Sequence, residues 1–246
     1  MIEGDEPTKG DYFSDEQLEL WLISIYEGIT TVKNLNPLYY TQTLEVLTEA
    51  VSKVTKLTPL LEDNLASFAA AKQHAIVRDF TTLTKVADTA EDFTKNVLGN
   101  ARTVSNNWTY TEQNTAGKIA NSIEEWDSIE KTKDLFPLLK YSAILDERTR
   151  QDHRALDGTV RPVDDPFWDS FMPPNGYNCR CKVVPLMADI EPITKKPKVT
   201  EDEVPADFRN NPAKSGKIFT KKHPYYDNTT AAQRRDNFGF GFPNER

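Results

Sequence analysis

Leu135-Phe136-Pro137-Leu138-Leu139-Lys140-Tyr141-Ser142-Ala143-Ile144-Leu145 is where the hydrophobic pattern changes period, and the fold class turns on it. Pro137 has no amide hydrogen and clashes with the preceding turn, so a helix arriving from the N-terminal side must stop. Such a helix is expected. Thr109 and Glu112 have the spacing of a capping box. Ala116, Ile119, Ile123 and Trp126 then recur on one face at helical spacing, which predicts a helix running to about Lys133. Beyond Pro137 the residues from Leu138 to Leu145 alternate loosely and predict a strand ending at Asp146.

Upstream the texture is helical throughout. Ser14 and Gln17 form another capping-box pattern, followed by Leu18, Trp21, Leu22, Ile25 and Ile29 on one face. A second helix is expected from Pro37, with Leu44, Leu47, Val51 and Val54 on a narrow stripe. A third opens at Thr58-Pro59, where proline at the first helical position loses nothing. It carries Leu61, Leu65 and Phe68, with Glu62 and Asp63 near its positive end. A shorter helix is expected from about Asp88 to Asn100. These stripes read as surfaces for packing helix on helix.

Downstream, Asp152 to Leu156 is at most a short helix closed by Gly158. Residues 159–178 are dense in Pro, Asp, Asn and aromatics and read as an ordered loop, because Phe167, Trp168, Phe171, Met172 and Tyr177 need burial. Cys179 to Leu186 reads as a closing strand. From about Asp189 the chain turns charged and proline-rich, which predicts an extended tail. The expected fold is therefore α+β and predominantly α. It comprises a helical N-terminal region (1–107), a small α+β module with a Pro/aromatic-rich loop (108–187) and an extended C-terminal arm (188–246).

With 246 residues, 38% hydrophobic and 28% charged, the chain can bury a sizeable core. No run approaches the eighteen or so apolar residues of a membrane span, and the acidic start, Met1-Ile2-Glu3-Gly4-Asp5-Glu6, lacks the basic-then-apolar pattern of an export signal. No membrane partner is expected. A formal charge of -8 disfavours nucleic-acid binding over the whole surface. The two cysteines, Cys179 and Cys181, are one residue apart, so a bond between them would be strained and a reduced pair is expected.

The segment from Trp108 to Leu186 holds a run of short motifs. Leu135-Phe136-Pro137-Leu138-Leu139-Lys140-Tyr141 leads into Asp146-Glu147-Arg148 and His153-Arg154-Ala155-Leu156-Asp157-Gly158. There follow Pro162-Val163-Asp164-Asp165-Pro166-Phe167-Trp168-Asp169 and Pro173-Pro174-Asn175-Gly176-Tyr177-Asn178-Cys179-Arg180-Cys181. In order and spacing this segment resembles the Mu F-like family of phage head-morphogenesis proteins. The resemblance covers about a third of the chain. It implies a minor structural protein of a tailed-phage head, partnered by portal protein or major capsid protein. Such a protein would sit in the head interior or at the portal vertex of the virion, and in the host cytoplasm during assembly. It implies no enzymatic activity.

Cys179, Cys181 and His153, with Asp146 and Glu147 upstream, are the sharpest local constellation. On a strand, positions i and i+2 share a face, so both sulfurs could reach one ion, with His153 as third ligand and Asp146 or water as fourth. Thiolate and imidazole favour zinc. Members of the family can carry Cys-x-x-Cys at the positions of Arg150 and His153, and Arg150 removes the first of these ligands. The alternative is that the cysteines simply pack under the loop. A metal-dependent hydrolase with Glu147 as base is a further reading, though no phosphate loop, nucleophile elbow or His-Glu-x-x-His accompanies it.

Arg148, Arg154, Asp157, Asp165, Trp168 and Asn175 read as a structural framework, with Gly158 and Gly176 in turns needing positive φ. In the tail, Arg209, Lys214, Lys217, Lys221 and Lys222 interleave with aromatics. They suggest contact with packaged DNA or with an acidic partner, against the simpler reading of a solvated tail. Phe238, Phe240 and Phe242 alternate with glycine, a pattern suited to docking by strand addition.

Overall fold

The first helix, α1 (Asp15–Tyr26), starts where its capping residues predict. The Ser14 hydroxyl accepts the Gln17 amide at 3.2 Å, and the Gln17 side chain accepts the Ser14 amide at 2.9 Å. This computed structural model describes residues 11–227. Helices α2 (Pro37–Ser52), α3 (Pro59–Leu83), α4 (Ala90–Arg102) and α5 (Trp108–Thr132) follow. The described chain divides into two units, one made of 11–49, 62–113 and 224–227, the other of 50–61 and 114–223.

The first unit is helical. Leu18, Trp21, Leu22 and Ile25 of α1 are buried, as their spacing requires, while Ile29 lies beyond the helix and is exposed. Tyr39 of α2 stacks on both Trp21 and Phe13, with ring centroids 4.1 and 4.5 Å apart. In α3 every residue from Ser67 to Val77 is buried, so this helix has no solvated face over its middle three turns. Its run of Ala69, Ala70 and Ala71 permits that, because alanine lets neighbouring helices approach closely.

One expectation fails here. Thr109 and Glu112 do not open a helix: α4 continues through a π-helical stretch, Thr103–Asn107, directly into α5. Both residues are buried, and both receive hydrogen bonds from Lys72 Nζ, at 2.6 Å each.

The second unit contains the sheet. Strand β1 (Leu138–Ser142) is followed by α6 (Gln151–Leu156), β2 (Val160–Pro162), α7 (Phe167–Phe171) and β3 (Lys182–Leu186). The three strands lie in the order β2-β1-β3, all antiparallel, with Leu139 opposite Arg161 on one side and Pro185 on the other. The fold is thus α+β and predominantly α. Pro137 does end the helical run, and β1 begins at the next residue, though it stops at Ser142 rather than at Leu145.

Residues 159–178 are not an uninterrupted loop, since β2 and α7 lie within them. Trp168 is completely buried, and its indole N–H donates to the Pro162 carbonyl at 2.9 Å. Phe167 stacks on Phe171 and meets Trp168 edge-on. Phe167, Trp168, Phe171 and Met172, predicted to need burial, are buried in this module, whereas Tyr177 is only half-buried.

Over the described residues 188–227 regular structure is sparse: three-residue turns at Glu201–Glu203, Ala206–Phe208 and Pro224–Tyr226, and one short helix, α8 (Pro212–Ser215). The described part is nonetheless not a solvated tail. Val199, Val204, Phe208, Ile218 and Phe219 are buried in the second unit, and Thr194 hydrogen-bonds to Val160 of β2. Phe238, Phe240 and Phe242 lie outside the described residues. Among the described residues no helix is long and apolar enough to cross a membrane.

Candidate functional site

Two short segments of the second unit bring the metal-ligand candidates together. Helix α6 puts His153 and Leu156, three positions apart, on one inward face, where both are almost fully buried. Gly158 then turns the chain at φ 76°, and the Asp157 carboxylate accepts the Ala143 amide at 2.8 Å. These contacts fix α6 against the end of β1.

The cysteines come from the turn before β3. Asn175 is fully buried; its carbonyl accepts the Tyr141 hydroxyl at 2.9 Å, and its amide donates to the Met172 carbonyl at 3.3 Å. Gly176 is not at positive φ, contrary to expectation; Asn178 takes that conformation, at φ 58°. Gly176 instead makes room for a neighbour, since a Cβ there would lie 2.9 Å from the Arg150 guanidinium, which also donates to the Tyr177 carbonyl. Cys179 and Cys181 follow, just ahead of β3 rather than in it. The extended path still sends both sulfurs to one side and Arg180 to the other.

Nδ1 of His153 lies 3.7 Å from the Cys179 sulfur and 3.4 Å from that of Cys181, and all three ligand atoms fall within 4.8 Å of one another. The contact from Cys181, with help from His153, pulls Cys179 down to about 4 against its burial. The same contact and burial push Cys181 well above the usual thiol range. Burial alone would lower His153, but the Cys179 hydrogen bond and charge outweigh it and raise the ring's pKa. Nε2 of His153 has no hydrogen-bond partner; the nearest carboxylate, that of Asp152, is 3.8 Å away. Beside the cysteines lies a cleft of about 240 Å³ lined by Lys118, Asn121 and Glu125, and burial raises the Glu125 pKa.

Asp146 does not join this cluster. Arg180 grips its carboxylate with two parallel hydrogen bonds of 2.7 and 2.6 Å and holds its pKa far below the usual range. Of the two expected fourth ligands, Asp146 or water, the carboxylate is held by Arg180 instead. Glu147 is exposed and is also outside the cluster.

The framework residues divide. Arg154 donates to the carbonyls of Asp146 and Thr149, and Asp165 pairs with Arg161 at 2.6 Å while accepting the Phe167 amide. Arg148 is exposed, and it is its backbone amide that reaches Asp146. Of the tail cations, Arg209 donates to the Val204 carbonyl and to Asp202. Lys214 pairs with Asp169 at 2.5 Å and lies over the Trp126 ring. Lys217, Lys221 and Lys222 are exposed.

Sequence reasoning missed the roles of Arg180 and Tyr141 around the cluster. Arg180 was foreseeable: in an extended Cys-x-Cys the middle residue must face away from the sulfurs, and an acidic loop lies upstream. It also missed a buried network in the first unit, where Glu112 accepts from Lys72 and, at 2.6 Å, from the Tyr225 hydroxyl.

Residues 85–184 match the family model described as Phage Mu protein F like protein. Over 78 residues, 32% of this chain and 18% of the relative, the chain is 40% identical to the putative capsid assembly protein F of Escherichia phage Mu. Over 76 residues, 31% of this chain and 17% of the relative, it is 36% identical to the Mu-like prophage FluMu F protein of Haemophilus influenzae. The chain thus spans under a fifth of the length of these two relatives. No solved structure matches it.

Proposed function

We infer that this chain acts in assembly of a tailed-phage head, as a minor structural component at the portal or the inner face of the capsid. Its partner is portal protein or major capsid protein. The observation that carries this reading is the 40% identity over 78 residues to a protein named for capsid assembly, beside the family match over residues 85–184. The chemistry of that region supports it: Asp157, Trp168, Asn175 and Arg154 are all spent on holding the fold. A hydrolase using Glu147 gains no support, because that carboxylate is exposed and not among the clustered ligands. An internal protein binding packaged DNA through the C-terminal arm gains little, because Arg209 and Lys214 are already paired.

The test is made in a lysogen of the phage that encodes the chain. Mass spectrometry of purified particles should find it at low copy number, and a deletion should yield lysates poor in DNA-filled heads, restored by the gene in trans. Normal heads in normal number without it would sink the proposal.

A further inference from the structure

We propose that His153, Cys179 and Cys181 bind one thiophilic divalent cation, with zinc the best match, through Nδ1 and both sulfurs. The site goes beyond the head-assembly role and does not depend on it. Three observations in the second unit carry it.

The first is spacing. Zinc bonds of about 2.3 Å to sulfur and about 2.0 Å to nitrogen, at tetrahedral angles, put a sulfur and a nitrogen ligand about 3.5 Å apart. The two sulfurs lie 3.4 and 3.7 Å from Nδ1. Little movement is needed to place an ion between all three.

The second is valence. Nδ1 carries at most one proton, or accepts one, yet two sulfurs converge on it. Read as hydrogen bonds, one of these contacts is superfluous. With an ion among them, each of the three ligand atoms donates one lone pair to it, and the charge of the thiolates is balanced.

The third is the far side of the ring. A histidine that binds metal through Nδ1 must carry its proton on Nε2, and that proton needs an acceptor. Nε2 is buried and unpartnered, and the Asp152 carboxylate stands 3.8 Å from it, one small side-chain rotation from a hydrogen bond.

Asp146 is not the fourth ligand, because Arg180 holds it. The fourth position belongs to water entering from the cleft that both cysteines line. An ion here joins α6 to the turn before β3, two segments that otherwise meet through few regular backbone bonds, so it acts as a staple.

The whole chain, purified without chelator from zinc-supplemented medium, should contain about one zinc per chain by elemental analysis. Replacing zinc with cobalt should give thiolate-to-metal charge-transfer absorption and the intense visible bands of a tetrahedral ion. Cys181→Ser and His153→Gln should each lose the metal. Because these variants can fail to fold, two further readouts keep the test decisive. The wild-type cobalt spectrum must show thiolate ligation, and Asp146→Asn must keep its full zinc content. A folded wild type with neither zinc nor a cobalt–thiolate spectrum would overturn the site. So would loss of zinc from a folded Asp146→Asn protein, since that would assign the ligand differently.

Discussion

Asn175 shows how much a single polar residue carries in a module with little regular backbone. It has no exposed surface, accepts from Tyr141 and donates to the Met172 and Ser170 carbonyls. Asn175→Ala would strand these groups in the core, where each unsatisfied group costs about 1–3 kcal/mol. A loss of at least that size on urea unfolding is expected, and Tyr141→Phe should lose less. Gly158→Ala isolates backbone strain: nothing lies within 4 Å of the added Cβ, so the φ of 76° alone sets the cost, about 1–2 kcal/mol.

The Lys72–Glu112 pair makes the opposite point, because its cost depends on which partner is left. Burial raises the Glu112 pKa against the pull of Lys72, and Tyr225 steadies the carboxylate. Lys72→Met removes that pull, so the folded pKa of Glu112 rises further. A group raised on folding contributes stability below its unfolded pKa and loses it as pH climbs through the folded value. Lys72→Met should therefore be destabilised most at alkaline pH, by up to about 3–5 kcal/mol, and recover as pH falls towards 5. Lys72→Met/Glu112→Leu should be much less damaging and show no such pH slope. Thermal melts across that pH range would decide it.

At the scale of elements, legibility followed periodicity. Proline starts and capping residues placed the N-terminal ends of α1, α2 and α3, and Pro137 placed the start of β1. What failed had a physical cause each time. Thr109 and Glu112 imitate a cap because a capping box and a polar pair facing a buried lysine share the same residue types and spacing. Strand β2 has three residues and α7 five, too short to show a period at all. The packing of residues 198–219 was hidden because Val199, Val204, Phe208, Ile218 and Phe219 are irregularly spaced. At the site, three ligand candidates could be read from residue type, whereas the loss of Asp146 to Arg180 is a tertiary fact. Trp168 binds α7 to β2 through its ring and its indole N–H. Trp168→Ala should cost about 3–5 kcal/mol, and hydrogen exchange should quicken first in 138–186.

At the scale of the whole molecule the question is whether a chain of this charge binds nucleic acid. Phosphate contacts come from clustered free cations, and each one neutralised releases a counterion and steepens the salt dependence of binding. Here the formal charge is -8. Arg209 is tied to Asp202 and Lys214 to Asp169, so each of these cations already faces a carboxylate. Lys217, Lys221 and Lys222 are exposed, but three lysines would give only a shallow slope, roughly -0.9 per contact. The full chain is therefore expected to leave duplex DNA unshifted at about 0.15 M salt, where exposed charges are screened beyond about 8 Å. At low salt it should bind weakly, with a slope no steeper than about -3. A steeper slope, or a shift that survives physiological salt and disappears in a Lys217→Gln/Lys221→Gln/Lys222→Gln variant, would return the DNA-binding arm to first place. A chain that ignores DNA and yet is retained by portal or capsid protein would leave assembly as its work.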